Sequence, residues 1–226
     1  MKRKFYTEAA YMAGLIVLAV GTALMEKADC GMSMVVAPAY LLHLKISQTL
    51  PFFSFGMAEY TLQAALLVIM MLALRRFRLC YLYSFGTAVL YGFLLDGALA
   101  LFAPLPASGM AARALWYVLG LLLCSAGVSL LFHTYISPEA YELFVKEISA
   151  KWGLNIHRVK TAYDCVSCAI GVLLSFAFFG FGVFEGVKLG TILCALVNGY
   201  TISRFTHAFD ARFEFTDRFA LRKVFE

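Results

Sequence analysis

Three carboxylates stand inside apolar runs of this chain: Glu59, Asp96 and Asp164. A charged side chain at the centre of a bilayer costs about 2.5 kcal/mol or more unless it faces protein, water or a partner, so each is a candidate proton or cation site. Burial favours the protonated carboxyl and a bound cation favours the ionised one. The plainer alternative is hydration at an interface. It weighs most for Glu59 and Asp164, which lie toward the ends of their runs, and less for Asp96, which lies deeper. Glu8 could join them, although its position near the start of the first run favours solvent exposure. Asn198 is an amide in a short final run and needs a second helix or a ligand as partner.

Hydroxyls and small residues form a second set. Gly86-Thr87 and Gly190-Thr191 would let backbones approach and would place hydroxyls on a substrate path, or would simply pack helices. Ser33 and Ser137 stand at candidate helix starts, where backbone N–H groups attract an anionic or polar solute. Cys165-Val166-Ser167-Cys168 has the outline of a redox or metal motif, but neither a second pair nor a histidine at ligand spacing completes it, and packing is the simpler role. Cys30, Met32 and Met34 are soft ligands of the kind Cu(I) takes, without a second cluster along a path. His43, His133, His157 and His207 form no metal or nucleophile arrangement. No catalytic residue, cofactor or metal is expected.

The elements that position these residues follow from composition. The chain has 226 residues, 62% of them hydrophobic and 15% charged, with a mean hydropathy of +0.80. That is more apolar surface than a soluble domain buries, and it predicts a membrane protein. Runs near the roughly 20 residues needed for a crossing lie at about 9–25, 57–74, 79–102, 114–132, 162–184 and 189–209, the last interrupted by Asn198 and Arg204. The first reads as an uncleaved span, since it is too long and too polar afterwards for a signal peptide.

Basic residues test the orientation, because they are enriched on the cytoplasmic side. With the N-terminus inside, fifteen lysines and arginines fall in the cytoplasm, among them Arg158, Arg222 and Lys223, and four fall outside: Lys27, Lys45, Arg113 and Lys188. The split accounts for the net charge of +5, which is no argument for nucleic acid. The aromatic, basic tail 210–226 reads as an interfacial segment.

The chain also matches itself at an offset near 105 residues. Gly14 and Gly21 meet Gly120 and Gly127 at 106, Ser33 meets Ser137 at 104, Glu59 meets Asp164 at 105, and Gly86-Thr87 meets Gly190-Thr191 at 104. A unit with an odd number of crossings, duplicated in tandem, has its second copy upside down, an arrangement that recurs in transporters. Each unit carries a long link between its first two spans. The outer link predicts a re-entrant or interfacial helix over 33–44. The inner link predicts an amphipathic helix capped by Ser137, with Pro138 at its first position and Glu139 and Glu142 favouring its dipole.

The Ala28-Asp29-Cys30-Gly31-Met32-Ser33 stretch, the Ser137-Pro138 turn, Asp164, and Gly190-Thr191 followed by Gly199 resemble the YczE/YyaS/YitT group of bacterial integral membrane proteins. The resemblance covers nearly the whole chain and implies an inner-membrane protein concerned with transport. The expected fold is all-α, six transmembrane helices as two inverted three-helix repeats at about 5–103 and 112–209, with both termini cytoplasmic. The expected function is a small secondary transporter of a small polar or anionic solute, proton or cation coupled, with Ser33, Glu59, Thr87, Asp96, Ser137, Asp164, Thr191 and Asn198 around its site. The alternative is a membrane module that binds or stabilises a partner protein. An enzyme is not expected. Expected partners are a small-molecule solute and membrane lipids, with a homodimer left open.

Overall fold

A computed structural model describes residues 2–106, 109–154 and 156–219, without the side chains of Ile156, His157, Arg158 and Thr161. The side chains of His157 and Arg158, and the tail from 220 onward with Arg222 and Lys223, thus lie outside what is described. Strand β1 (Arg3–Tyr6) leads into α1 (Thr7–Ala28), followed by α2 (Ala37–Ile46), α3 (Phe55–Leu74), α4 (Leu79–Phe102), α5 (Met110–Phe132), α6 (Ala140–Trp152), α7 (Ile156–Phe179), α8 (Leu189–Arg212) and strand β2 (Phe213–Thr216). The fold is all-helical apart from one ribbon, in which β1 and β2 pair in parallel with Phe5 opposite Phe215. Five helices, α1, α3, α4, α5 and α7, are long and apolar enough to cross a membrane, which marks a membrane protein.

The centre of the bundle is the contact of α1 with α5. Glycines make it close. A Cβ at Gly21 would lie 2.7 Å from Cys124 N, one at Gly120 would lie 2.7 Å from Gly21 O, and one at Gly127 would lie 2.8 Å from Gly14 O. Small residues bring apolar helices together through backbone contact where the surrounding solvent gives no hydrophobic drive between them. Around this pair, α4 packs on α1 and α8 packs on α5, while α3 lies on α4.

The two short helices lie alongside long ones. Lys151 near the end of α6 donates to Ala73 O at the end of α3 (2.8 Å), while the amide of Ala140 at its start reaches Gln63 (3.0 Å). Gln63 is eight residues into α3, about 12 Å along it at 1.5 Å per residue. So α6 begins beside the interior of the bundle and runs out to the ribbon end. In α2, Ala37 lies against Gly171 of α7 and Lys45 donates to Phe178 O (3.4 Å). It begins beside the second half of α7 and runs out to the opposite end.

Ion clusters tie each end. At the ribbon end, the buried carboxylate of Glu147 in α6 pairs with Arg76, and with Arg78 at 2.9 Å, from the α3–α4 turn. At the other end, Asp29 pairs with Arg113 and Lys188, each at 2.5 Å.

Several expectations are corrected. The outer-link helix starts at Ala37, because Ser33 to Val36 form a turn held by Met32 N donating to Gly186 O (2.8 Å). The inner-link helix starts at Ala140, with Glu139 and not Ser137 at the cap position. The fifth run stops at Phe179 instead of 184, since Gly180 takes a φ of +103°, which a helix cannot continue. Of the tail from 210, the first three residues complete α8 and Phe213–Thr216 form strand β2. Its alternating Phe213 and Phe215 set their rings 5.5 and 5.9 Å from Phe5, and period two suits a strand.

Candidate functional site

Glu59 and Gln63 stand four residues apart on α3 and so share a face; both are fully buried. Across from them α4 presents Ser84, Thr87 and Tyr91, also at helical spacing and also buried. The Ser84 hydroxyl donates to Pro138 O (2.7 Å) and the Thr87 hydroxyl donates to Ser137 O (3.0 Å). Thr87 Oγ1 also lies 2.8 Å from the Tyr11 hydroxyl of α1, and the Tyr91 hydroxyl lies 2.9 Å from Thr22 Oγ1. Two hydroxyls of α4 thereby hold the carbonyls just before α6, and Glu139 is left extended at ψ 158°.

Gln63 joins the parts. Its Oε1 accepts the first amide of α6, from Ala140 (3.0 Å). Its Nε2 donates to Glu139 Oε2 (3.2 Å) and to Glu59 Oε1 (3.4 Å). One amide side chain thus caps a helix and holds two carboxyls. Four buried polar atoms of the cluster make no hydrogen bond of ordinary geometry, Glu59 Oε2, Glu139 Oε1, Ser137 Oγ and the Tyr141 hydroxyl, although the Tyr141 hydroxyl faces the Glu59 carboxyl. Their residues are 0%, 5%, 4% and 2% exposed, so these atoms are shut from bulk solvent. Buried polar groups are normally satisfied, and a group of them with capacity to spare calls for a physical explanation.

The charges around the cluster are one-sided. Burial first, and then the neighbouring charges of Glu142 and Glu59, push the Glu139 carboxyl well above the usual carboxylate range. The half-buried Glu142 faces Lys160, and Lys160 is itself paired with Asp164 at 2.8 Å. Tyr163 of α7 closes that side. No group of three His, Cys, Asp or Glu side chains suited to a metal occurs among the described residues.

Of the residues singled out in the sequence, Glu59, Thr87 and Ser137 come together here, and Asp164 lies at the edge through Lys160 and Glu142. Asp96 does not join them. It accepts from Ser54 Oγ (2.5 Å) and Gly56 N (2.8 Å) and so serves the first turn of α3, where an anion suits the free amides and dipole. Ser33 and Thr191 lie near the other end: the Ser33 hydroxyl faces Cys194, and Thr191 Oγ1 donates to Gly186 O (3.3 Å). Asn198 finds a second helix, its Oδ1 accepting from Ser125 Oγ of α5 (3.0 Å). Gly190 sits tightly against Tyr117, whereas a Cβ at Gly86 would meet nothing within 4 Å, so only one Gly-Thr pair uses its glycine for close approach. Glu8 is held rather than free, accepting from Tyr135 OH (2.8 Å) and the Phe219 amide (3.0 Å).

Gln63, Tyr91, Tyr141 and the carboxyl of Glu139 as a site group were not found from sequence. Gln63 had a signal: it is a second polar residue one turn from Glu59 in an otherwise apolar run. Glu139 had none, because a glutamate after Ser-Pro reads equally well as a solvated first-turn acid. No curated protein and no solved structure is significantly similar to the chain. A family model does match, over residues 5–207, and on that extent the chain belongs to the family of unknown function DUF6198.

Proposed function

We propose that the chain is a small secondary transporter with six spans, built as two inverted three-helix halves around an in-plane twofold, carrying a small polar or anionic solute with proton or cation coupling. The observation that carries this reading is the pair of short helices α2 and α6, which begin beside the interior of the bundle and run out to opposite ends. Interrupted elements with helix starts near mid-depth are how inverted-repeat carriers build a central site. The glycine contacts support the inversion. Gly14 meets Gly127 and Gly21 meets Gly120, and the sequence match of 14 with 120 and 21 with 127 exchanges these two contacts. The packing of α1 on α4 and α5 on α8, and of α6 on α3 and α2 on α7, is reciprocal in the same way.

A sixth crossing by α8 is supported by the ribbon. Because β1 precedes α1 and β2 follows α8 in one paired unit, an even number of crossings between the two strands fits the ribbon, whereas five would separate them. The basic-residue split makes the ribbon's side the cytoplasm. Tags placed at the two termini are expected to be protected together in sealed spheroplasts and exposed together on permeabilisation; a tag exposed on its own before permeabilisation would remove the sixth span.

Function is tested with the full chain in proteoliposomes holding a pH-sensitive dye, offered a panel of amino acids, carboxylates and neutral polar solutes. At least one solute is expected to enter with a change of internal pH that depends on the protein. Absence of uptake across the panel, with a protein partner co-purifying at fixed stoichiometry, would favour a partner-binding module instead.

A further inference from the structure

We propose that Glu59 and Glu139, bridged by Gln63, form a proton-binding site in which the two carboxyls share one proton, and that the proton is the ion coupled to the solute. The second half rests on the transporter reading; the first does not. Both carboxyls are held by one nitrogen, at 3.2 and 3.4 Å, in a place where neither is more than 5% exposed. Two carboxylates sharing one site cannot both ionise readily, and one retains its proton.

The groups facing the pair from every packed element sharpen this. From α6 come Tyr141 and Glu142, from α7 Tyr163, Asp164 and Lys160, from α4 Tyr91, from α1 Tyr11, and from α5 the Cys124 thiol. The cation among these, Lys160, is taken by Asp164 (2.8 Å). The tyrosines and Gln63 are neutral. With Glu59, Glu139 and Glu142 ionised, the cluster would carry an excess of negative charge in a low-dielectric interior, and a bound proton relieves it at the least cost in space. Protonation also changes the bonding. An ionised carboxylate only accepts, whereas a carboxylic acid adds an O–H donor, and a hydroxyl can serve either form; Ser137 Oγ, the Tyr141 hydroxyl and one oxygen of each carboxyl are buried with bonding capacity to spare. Ser137 and Tyr141 are not part of the acidic pair; the Tyr141 hydroxyl faces Glu59, and each hydroxyl can accept from a carboxylic acid or donate to a carboxylate.

Where the proton sits decides what α6 meets at its first turn. The positive end of the α6 dipole favours negative charge there, and the pair carries one such charge with its proton bound and two without it. A solute entering beside α6 therefore encounters a different charge in the two states, which is the condition for coupling: a ligand shifts an equilibrium only by its difference in affinity for the two states.

The test uses infrared difference spectroscopy on the full chain in lipid nanodiscs, without solute, across a pH titration. A carboxylic acid C=O band is expected in the wild type. The double variant Glu59→Gln with Glu139→Gln should lose it. Each single variant should keep a band whose midpoint falls by about one pH unit or more, because the like charge that held the proton is gone. Asp96→Asn should leave the band unchanged. The site is overturned if the band survives in the double variant, if the single variants titrate as the wild type does, or if sodium replacing choline at constant pH removes it, which would mean a bound metal cation. A band that titrates as expected in a protein that moves no solute would keep the proton site and remove its coupling role.

Discussion

Gly21→Leu is expected to destabilise the folded protein by about 3 kcal/mol, the upper end of what overpacking costs. A Cβ at position 21 would already lie 2.7 Å from Cys124 N and 2.8 Å from both Cys124 Sγ and Gly120 O. Two of the three obstructing atoms are backbone, which cannot swing aside as a side chain does, so α1 and α5 must separate. That separation also loosens α4 and α8, which pack on the same pair. Gly120→Leu should behave alike, since its Cβ meets Gly21 O at 2.7 Å. Gly86→Leu is the control. It has open space around it, and replacing glycine within a helix gains roughly 0.5–1 kcal/mol in backbone entropy. Reversible unfolding in mixed micelles measures all three, and equal stability of the Gly21 and Gly86 variants would mean that the close crossing does not hold.

Gln63→Leu should cost about 2–5 kcal/mol, because leucine has a similar volume but leaves several buried groups without partners at about 1–3 kcal/mol each. Glu139 Oε2, Glu59 Oε1 and the Ala140 amide all lose their bond to one side chain. The Glu59 contact, at 3.4 Å, is the weakest and contributes least. Amide exchange at Ala140 to Glu142 should rise with the loss, as α6 then has no cap at its start. Removing all three polar groups together, with Glu59→Leu and Glu139→Leu added, should cost less than the sum of the single changes, because no polar group is then stranded. An additive result would mean that the three side chains do not act as a unit.

How much of this was legible beforehand differs by level. The long helices could be read from hydropathy because an unbroken apolar run of about 20 residues has few other stable forms. Their ends were read less well. Span five overran to 184 because its apolar run continues through Gly180 to Phe184, and hydropathy does not register that Gly180 leaves the helical region of backbone space. The two link helices are legible as elements but start later than capping preference suggests, at Ala37 instead of 33 and at Ala140 instead of 138, because hydrogen bonds from distant segments hold the preceding residues: Met32 to Gly186, and Ser84 and Thr87 to the carbonyls of Pro138 and Ser137. Capping preferences describe a chain in isolation and carry no account of such partners.

The site divides in the same way. The sequence by itself determined that carboxylates such as Glu59 would stand inside apolar helices and need partners, since the cost of stranding them is a property of the residue and the run around it. Only the tertiary structure decided which acids share a site. Asp96 was spent on the first turn of α3, 40 to 42 residues away, and Asp164 on Lys160 one turn off. Glu139, from a link that looks solvated, is instead brought to Glu59 through Gln63, which lies 76 residues from Glu139 in the chain. That pairing depends on α6 starting inside the bundle, which is set by hydroxyls on α4. Local pattern holds no record of contacts at such separations, and the chemistry of the cluster arises from them.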